Sequence, residues 1–234
     1  GDRAAYGTAI FPVLMSTPVK FPAAPGLATL LTLSDSRLPT GGHVHSGGVE
    51  EAVAQGLVND LATLRAFLRR RVRTNGLVTA SISAAVHTGS LSVPQGDRET
   101  DARTPAPAAR HASRAQGRGL LRLARRVWPD VEWDTLGTTP HLAVAAGLVG
   151  AASGLSPEQT ALSIVYTTMS GSATAAQRLL ALDPGDVAAL TFELSPLCEL
   201  TAIEAAKELA DLSDPLLDAL AQQHSQRERP LFVS

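Results

Sequence analysis

The spacing of apolar residues constrains the fold of this chain more than any other feature of its sequence. Apolar residues recur at helical spacing, as at Leu61, Leu64, Phe67 and Leu68, and no segment sustains the apolar-polar alternation of a half-buried strand. The apolar side chains are mainly Ala, Leu and Val, and aromatic residues make up only 4% of the chain. This mixture favours closely packed helices over a β-sandwich. We therefore predict an all-α fold, a single-domain bundle of about eight to ten helices.

The first 26 residues differ from the rest of the chain. They contain four prolines and show no apolar period, so we expect a flexible N-terminal extension over 1–26 and a helical domain over 27–234. The extension lacks the cleavage pattern of a signal peptide, and no stretch approaches the ~18 uninterrupted apolar residues of a membrane-spanning helix. Because Cys198 is the only cysteine, no internal disulfide can form. We expect a cytoplasmic protein that contacts no membrane.

Capping residues predict where several helices begin. Ser46 is a candidate N-cap for one helix, and Asn59 or Asp60 for the helix that follows. The dipeptide Asn75-Gly76 predicts an interruption further along. Ser156, with a proline after it, begins a long helix.

Proline and glycine predict where helices are interrupted. Residues 90–104 are polar and contain both residue types, so we expect a loop there. The sequence Asp-Pro-Gly at 183–185 predicts a turn. A helix over 186–210 follows it, with Pro196 as a possible break.

Small residues dominate the middle of the long helix that Ser156 begins. Residues 170–176 read Ser-Gly-Ser-Ala-Thr-Ala-Ala, and small side chains let neighbouring backbones approach closely. We therefore predict that this is the central helix of the bundle. Gly171 lowers helix propensity by about 1 kcal/mol relative to Ala, a loss that a close helix crossing would offset.

The formal net charge of −2 hides a strong segregation of charge. Residues 65–126 carry thirteen arginines and three carboxylates, a net +10, whereas residues 130–218 carry thirteen carboxylates and two cations, a net −11. The two halves either neutralise each other within the fold or attract partners of opposite charge.

Five of the arginines stand at intervals of four residues, so like charges are neighbours along one helix and an acidic group is expected nearby. These five are Arg110, Arg114, Arg118, Arg122 and Arg126. No aromatic residues are interleaved with them. We therefore do not expect nucleic-acid binding.

The sequence contains no short catalytic motif: there is no GxxxxGK[ST] loop and no CxxC, HExxH or GxSxG. His43 and His45 could share a divalent transition metal, although a structural or surface role is the stronger expectation for two histidines in a loop. We expect the acid pairs Glu50–Glu51 and Glu204–Glu208 on solvated faces. The other histidines are expected at the surface or as hydrogen-bonded core groups; they are His87, His111, His141 and His224. The residues thus predict a non-enzymatic helical interaction protein.

Residues 33–50 carry a specific pattern. They read Leu-Ser-Asp-Ser-Arg-Leu-Pro-Thr-Gly-Gly-His-Val-His-Ser-Gly-Gly-Val-Glu. The serine at 34 or 36, the Pro-Thr-Gly at 39–41 and the Ser-Gly-Gly-Val-Glu at 46–50 resemble the N-terminal signature of the urease accessory protein UreF family. The similarity covers about residues 27–234, is closest to actinobacterial members, and continues in three later segments. These segments are residues 112–118, Gln177-Arg178 and residues 231–234.

This resemblance implies a UreF-like, all-α, non-catalytic scaffold for nickel insertion into urease. It implies a homodimer that lies between a UreD-type accessory protein (UreH in some organisms) and the nickel-delivering GTPase UreG, and that docks on apo-urease. No cofactor would be bound stably, because the complex handles nickel and the partner binds GTP. Modulation of the partner's GTP hydrolysis is a further implied role. The alternative is a nickel-binding metallochaperone in its own right, acting through the loop that holds His43 and His45.

The resemblance also implies which residues meet the partners. Those expected on the GTPase side are Pro39, Gly41, Gly42, His43, Ser46, Gly48 and Glu50. Those expected on the UreD/UreH side are Arg227, Arg229, Leu231, Phe232 and Ser234. Those assigned to packing of the central helix are Gly171, Gln177 and Arg178.

Two positions depart from the pattern of the family. Several relatives have an aromatic residue where this chain has His43. The tail of relatives commonly reads Arg-Leu-Phe-x-Ser, whereas here Pro230 stands between the arginine and the leucine. Both Arg227 and Arg229 are therefore candidates for the tail arginine.

Overall fold

The computed structural model describes residues 26–40, 48–211, 219–220 and 222–223. Over these ranges the chain is helical and contains no strand, which confirms the all-α prediction. None of the helices in these ranges combines the length and the apolarity that crossing a bilayer requires. Apart from Gly26, the extension predicted over 1–26 lies outside the described residues.

Between residues 26 and 211 the described ranges hold nine α-helices, a π-helical turn between the third and the fourth, and a 3-10 turn before the seventh. Residues 219–220 and 222–223 are helical as well. The helices are α1 (Leu27–Leu33), α2 (Val49–Ala54), α3 (Leu61–Arg71), α4 (Leu77–Thr88), α5 (Val93–Ala102), α6 (Pro107–Val127), α7 (Leu142–Ala152), α8 (Pro157–Leu180) and α9 (Pro184–Lys207). The two turns are Val72–Gly76 (π) and Asp134–Leu136 (3-10).

Helix α8 lies at the centre of the bundle, as its small residues predict. It packs against α9, α4, α7 and α2, and also contacts α1 and α3. Ala161, Val165, Met169, Ala173 and Ala176 are each no more than 2% exposed. They face the main core, which residues of α2, α3, α4 and α9 complete.

Helix α4 is buried on two sides and joins two cores. Its residues Leu77, Ala80 and Ala84 belong to the main core around α8. Val78 and Ile82 belong to a second core, which α6 and α7 complete. A helix that is apolar all round is what a position between two layers requires.

The close backbone approaches occur at Gly150 and Gly117, whereas the sequence predicted one at Gly171. A Cβ built on Gly150 of α7 would lie 2.0 Å from Thr160 Oγ1 of α8, and one on Gly117 of α6 would lie 1.9 Å from the Pro140 carbonyl oxygen. A Cβ built on Gly171 would meet no atom of the described residues within 4 Å. The prediction of a close crossing at Gly171 is therefore wrong, because this glycine faces open space.

The loop predicted over 90–104 is wrong, because most of it forms α5. Ser92 caps the helix: its Oγ accepts from the Gln95 N–H at 3.3 Å, and the Gln95 side chain accepts from the Ser92 N–H at 2.8 Å. This is a capping box. Pro94 lies in the first turn, where a missing N–H breaks no helical bond.

Helix α9 begins earlier than predicted and is not broken. Asp183 is its N-cap, accepting from the Asp186 N–H at 3.0 Å, so the Asp-Pro-Gly sequence begins the helix and does not form a turn before it. The helix continues through Pro196. Phe192 and Pro196 are both exposed, so the carbonyl that loses its partner faces water.

Two further predicted boundaries have mixed outcomes. Asp60 caps α3, as predicted. The N-cap of α2 is Gly48 and not Ser46, because the chain enters this helix through a left-handed residue with φ of 85°. The interruption predicted at Asn75-Gly76 is the π turn, which changes the hydrogen-bond register without ending the helix.

Ion pairs join the basic and acidic halves of the chain. Arg65 pairs with Glu193 at 2.9 Å and Arg73 with Glu204 at 2.9 Å, while Arg103 pairs with Asp211 at 2.6 Å. Neutralisation within the fold therefore accounts for part of the segregated charge. Among the described residues, the exposed arginines of α6 at 118, 122 and 126 have no ion-pair partner.

Replacing Gly117 by Ala tests the close packing of α6. Because the new methyl group would overlap a backbone oxygen, we expect G117A to lose about 1–3 kcal/mol of unfolding free energy. The matched change G171A adds a methyl group in open space and improves helix propensity, so it should gain up to about 1 kcal/mol. Urea unfolding followed by circular dichroism measures both, and equal effects of the two changes would contradict this packing.

Candidate functional site

A groove of about 960 Å³ brings together segments that are far apart in the sequence. One wall comes from the signature loop, defined here as residues 34–40, and another from α6 through Ala112, Ser113 and Gln116. A third comes from α8 through Gly171, Gln177 and Arg178. Three of the four segments that carry the family resemblance therefore line one site.

The signature loop is held by a local ion pair. Asp35 accepts from the Arg37 backbone N–H at 2.8 Å and from Arg37 Nη2 at 2.6 Å. These hydrogen bonds lower the pKa of Asp35 to about 2. The loop is thus shaped by its own residues before it meets the rest of the protein.

Gly119 of α6 positions the end of this loop. A Cβ at Gly119 would lie 2.4 Å from the carbonyl oxygen of Thr40 and 2.8 Å from its Cα. The neighbouring atoms belong to the backbone and cannot rotate away. Only glycine therefore lets the signature loop rest directly on α6.

The second half of the signature pattern begins α2. Val49 is fully buried, and Glu50 and Glu51 are only 9% and 5% exposed. The predicted solvated face for this acid pair is wrong, because α2 packs on α8. Both carboxylates lie in the first turn, where the helix dipole favours negative charge, and Gln55 Nε2 donates to Glu51 Oε1 at 3.1 Å.

The remaining predicted site residues divide into two groups. Pro39 is exposed and Gly48 is buried at the start of α2, while Gln177 and Arg178 lie at the groove. The others lie outside the described residues: Gly41, Gly42, His43, His45, Ser46, Arg227, Arg229, Leu231, Phe232 and Ser234.

A polar cluster centred on a buried histidine was not predicted from the sequence. His141 is fully buried. Of the two places expected for it, at the surface or in the core with hydrogen bonds, the second is correct. Its Nε2 lies 2.7 Å from Asp101 Oδ1 and its Nδ1 lies 2.9 Å from Ser113 Oγ. Because a carboxylate only accepts, we assign the proton to Nε2, so the Ser113 hydroxyl donates to Nδ1. Arg114 completes the cluster by donating to Asp101 Oδ2 at 3.1 Å.

This cluster joins three helices and shifts the titration of its members. Burial lowers the pKa of His141, although its bond to Asp101 acts in the opposite direction. Burial by itself would raise the pKa of Asp101, but the bond from His141 and the charges of Arg114 and Arg110 bring it below its usual value. Its members could not be grouped from the sequence because Asp101, Ser113 and His141 come together only through the packing of α5, α6 and α7.

A family model described as UreF matches residues 58–195, which is more than half of the chain. The chain belongs to the UreF family. It is 79% identical over 211 residues to the urease accessory protein UreF of Mycolicibacterium vanbaalenii, covering 89% of this chain and 99% of that protein. It is 73% identical over 208 residues to the proteins of the same name from Mycobacterium bovis and Mycobacterium tuberculosis, with the same shares covered. The resemblance to actinobacterial members is confirmed.

The UreF family model covers two walls of the groove. Both α6 and the groove-lining part of α8 fall inside residues 58–195, whereas the signature loop precedes them. The signature loop therefore lies against a part of the chain that the UreF family model matches.

The described residues of this UreF-family chain show no group of three or more His, Cys, Asp or Glu side chains that could hold a metal ion. Cys198 is buried, and burial raises the pKa of its thiol to about 11. At neutral pH this thiol is protonated and is a poor metal ligand. His43 and His45, the predicted metal candidates, lie outside the described residues.

The pKa shift of His141 predicts a loss of stability in acid. The unfolded chain protonates this histidine near pH 6.5, whereas the folded protein keeps it neutral to a lower pH, so stability falls as the pH drops below about 6.5. H141Q should be less stable at pH 7.5 by about 1–3 kcal/mol, with a flatter pH dependence between 6.5 and 5.

The control for this prediction is H111Q, because His111 is exposed on α6. His87 leaves a residual slope in every variant, since burial also lowers its pKa. Urea unfolding at a series of pH values separates the variants. A slope in H141Q equal to those of the wild type and H111Q would show that His141 does not titrate as proposed.

Proposed function

We propose that this chain is a non-catalytic scaffold of urease maturation, which links a UreD/UreH-type accessory protein and the nickel-delivering GTPase UreG to apo-urease. The observation that carries the proposal is the 73–79% identity, over 89% of the chain, to proteins named urease accessory protein UreF. Nickel is cargo in this scheme, and GTP binds to the partner. Modulation of the partner's GTP hydrolysis belongs to the same proposal.

The chemistry of the buried cluster supports a structural role over a catalytic one. Ser113, His141 and Asp101 form a serine-histidine-carboxylate chain of hydrogen bonds. However, His141 is fully buried, and the Ser113 oxygen also accepts from the Leu142 N–H at 3.3 Å. Water does not reach the imidazole, and its bonds hold α5, α6 and α7 together, as expected of a structural contact.

We assign two surfaces to the partners. The exposed Pro39 and the signature loop, which forms one wall of the groove, would face the GTPase. Gly48 and Glu50, which were assigned to the same surface, are buried in the isolated chain. The tail from Arg227 to Ser234 would meet the UreD/UreH-type protein. A homodimer would present each surface twice.

Deletion of this gene from cells with an otherwise complete set of urease genes tests the proposal. We expect urease protein to accumulate with little nickel and little activity, because no scaffold brings the GTPase to it, and re-expression should restore both. The measurements are nickel per urease subunit by mass spectrometry and urea hydrolysis per milligram. Ordinary nickel content in the deletion strain would refute the proposal.

Isolation of the complex from the same cells separates the scaffold from the metallochaperone alternative. A scaffold should copurify with the UreD/UreH-type protein, UreG and urease. Tight stoichiometric nickel uptake by the purified chain, measured by calorimetry and lost when His43 and His45 are replaced by Ala, would favour the metallochaperone instead.

Removal of residues 227–234 should abolish copurification with the UreD/UreH-type partner. The reason is that this tail carries the proposed contact, while the two cores lie in the helices described above. Far-ultraviolet circular dichroism should therefore be unchanged. Full recovery of the partner with the truncated chain would contradict the assignment of this surface.

A further inference from the structure

One buried side-chain nitrogen or oxygen in the described part of the chain has no hydrogen-bond partner, and it is the Nε of Arg71. This nitrogen has less than 1 Å² of accessible surface. No hydrogen bond or ion pair of the described residues includes the guanidinium. Since native structures leave few buried polar atoms unsatisfied, such an atom requires an explanation.

Arg71 also has no charge partner among the residues that the structure describes. Burial lowers its pKa to about 10, and no carboxylate opposes that shift. Its neighbours behave differently, because Arg65 and Arg73 pair with Glu193 and Glu204. Arg71 stays charged at neutral pH, so a half-buried guanidinium carries a positive charge that no carboxylate of the described residues balances, which is unfavourable.

This arginine lies at the groove described above. It is the last residue of α3, directly before the π turn, a distortion that is frequent at functional sites. The same groove is lined by Asn75, Thr79, Tyr166 and Ser170. Each of these side chains can donate a hydrogen bond to an oxygen, and none has a partner among the described residues. The groove that holds Arg71 therefore contains several free donors, together with the carboxylates of Asp35 and Glu199.

We propose that Arg71 anchors a carboxylate side chain of a partner protein, carried on an acidic segment that docks in the groove. The inference rests on the proposed function, since it names the chemistry of one contact of the scaffold. The guanidinium fork matches a carboxylate with two parallel hydrogen bonds. A groove of about 960 Å³ is much larger than one carboxylate or one inorganic anion. Leu27 and Leu31 line it and are 44% and 65% exposed, so it also offers apolar contact to a chain segment.

The test compares R71Q with the control R69Q in the full-length chain. Arg69 lies on the same helix, is exposed and has no partner among the described residues, so R69Q removes the same charge from a solvated position. Each variant is produced with the complete set of urease proteins. We expect R71Q to weaken capture of one partner by about tenfold or more, and R69Q to match the wild type.

Thermal stability is a second measurement. R71Q should weaken partner capture but should not lower the melting temperature. Because R71Q removes an uncompensated charge from a half-buried position, its melting temperature in the isolated chain should equal or exceed that of the wild type. R71K retains the charge and loses the fork, so it should also weaken capture, which keeps the proposal testable if R71Q folds poorly. A melting temperature lowered in R71Q and restored in R71K, with capture normal in R71K, would overturn the proposal by showing a structural role.

Three further outcomes would also overturn it. Capture by R71Q equal to that by R69Q would show that no partner uses the guanidinium. Stabilisation of the wild type but not R71Q by millimolar inorganic phosphate, with capture unchanged, would assign the site to a small anion. A wild-type chain that captures no partner at all would overturn the proposed function and this inference together.

Discussion

Two backbone contacts on α6 position two parts of the site, the polar cluster and the signature loop. Gly117 receives the backbone at Pro140, and Gly119 receives the backbone at Thr40. The first contact places His141 against Ser113, and the second places the signature loop beside the groove. Since protein interiors are close-packed, a single added methyl group at either position must move a backbone segment. One helix thus fixes both the polar cluster and the signature loop.

Local signals predicted helices well where a cap decides the outcome. Asp60 and Ser156 both cap helices as expected. The sequence also contains the capping box of α5, Ser92 with Gln95, but Pro94 and Gly96 favour the prediction of a loop. The proline is harmless in a first turn, and the glycine is explained by packing: a Cβ at Gly96 would lie 2.7 Å from a methyl group of Val86. The presence of this glycine is therefore explained by a tertiary contact, which a local sequence pattern does not reveal.

The segments that build the site could be recognised from the sequence, but their meeting could not. The signature loop, α6 and α8 are separated by many residues and come together only through the packing of the helices on α4 and α8. The burial of Glu50 and Glu51 follows from the same packing, since the spacing of two adjacent acids is equally compatible with a solvated face. The cluster around His141 could not be predicted without α5, because Asp101 lies on that helix and the sequence predicts a loop there.

Charge segregation alone does not locate an interaction site, whereas burial does. Long-range pairs such as Arg65–Glu193 neutralise part of the basic half, and the arginines at 118, 122 and 126 remain exposed, where water screens them at little expense. Arg71 differs because water does not reach its Nε. If a partner's carboxylate compensates this charge only in the complex, the isolated chain is less stable than the bound one. Binding would then stabilise the fold in proportion to partner concentration, which links maturation of the complex to the persistence of the scaffold.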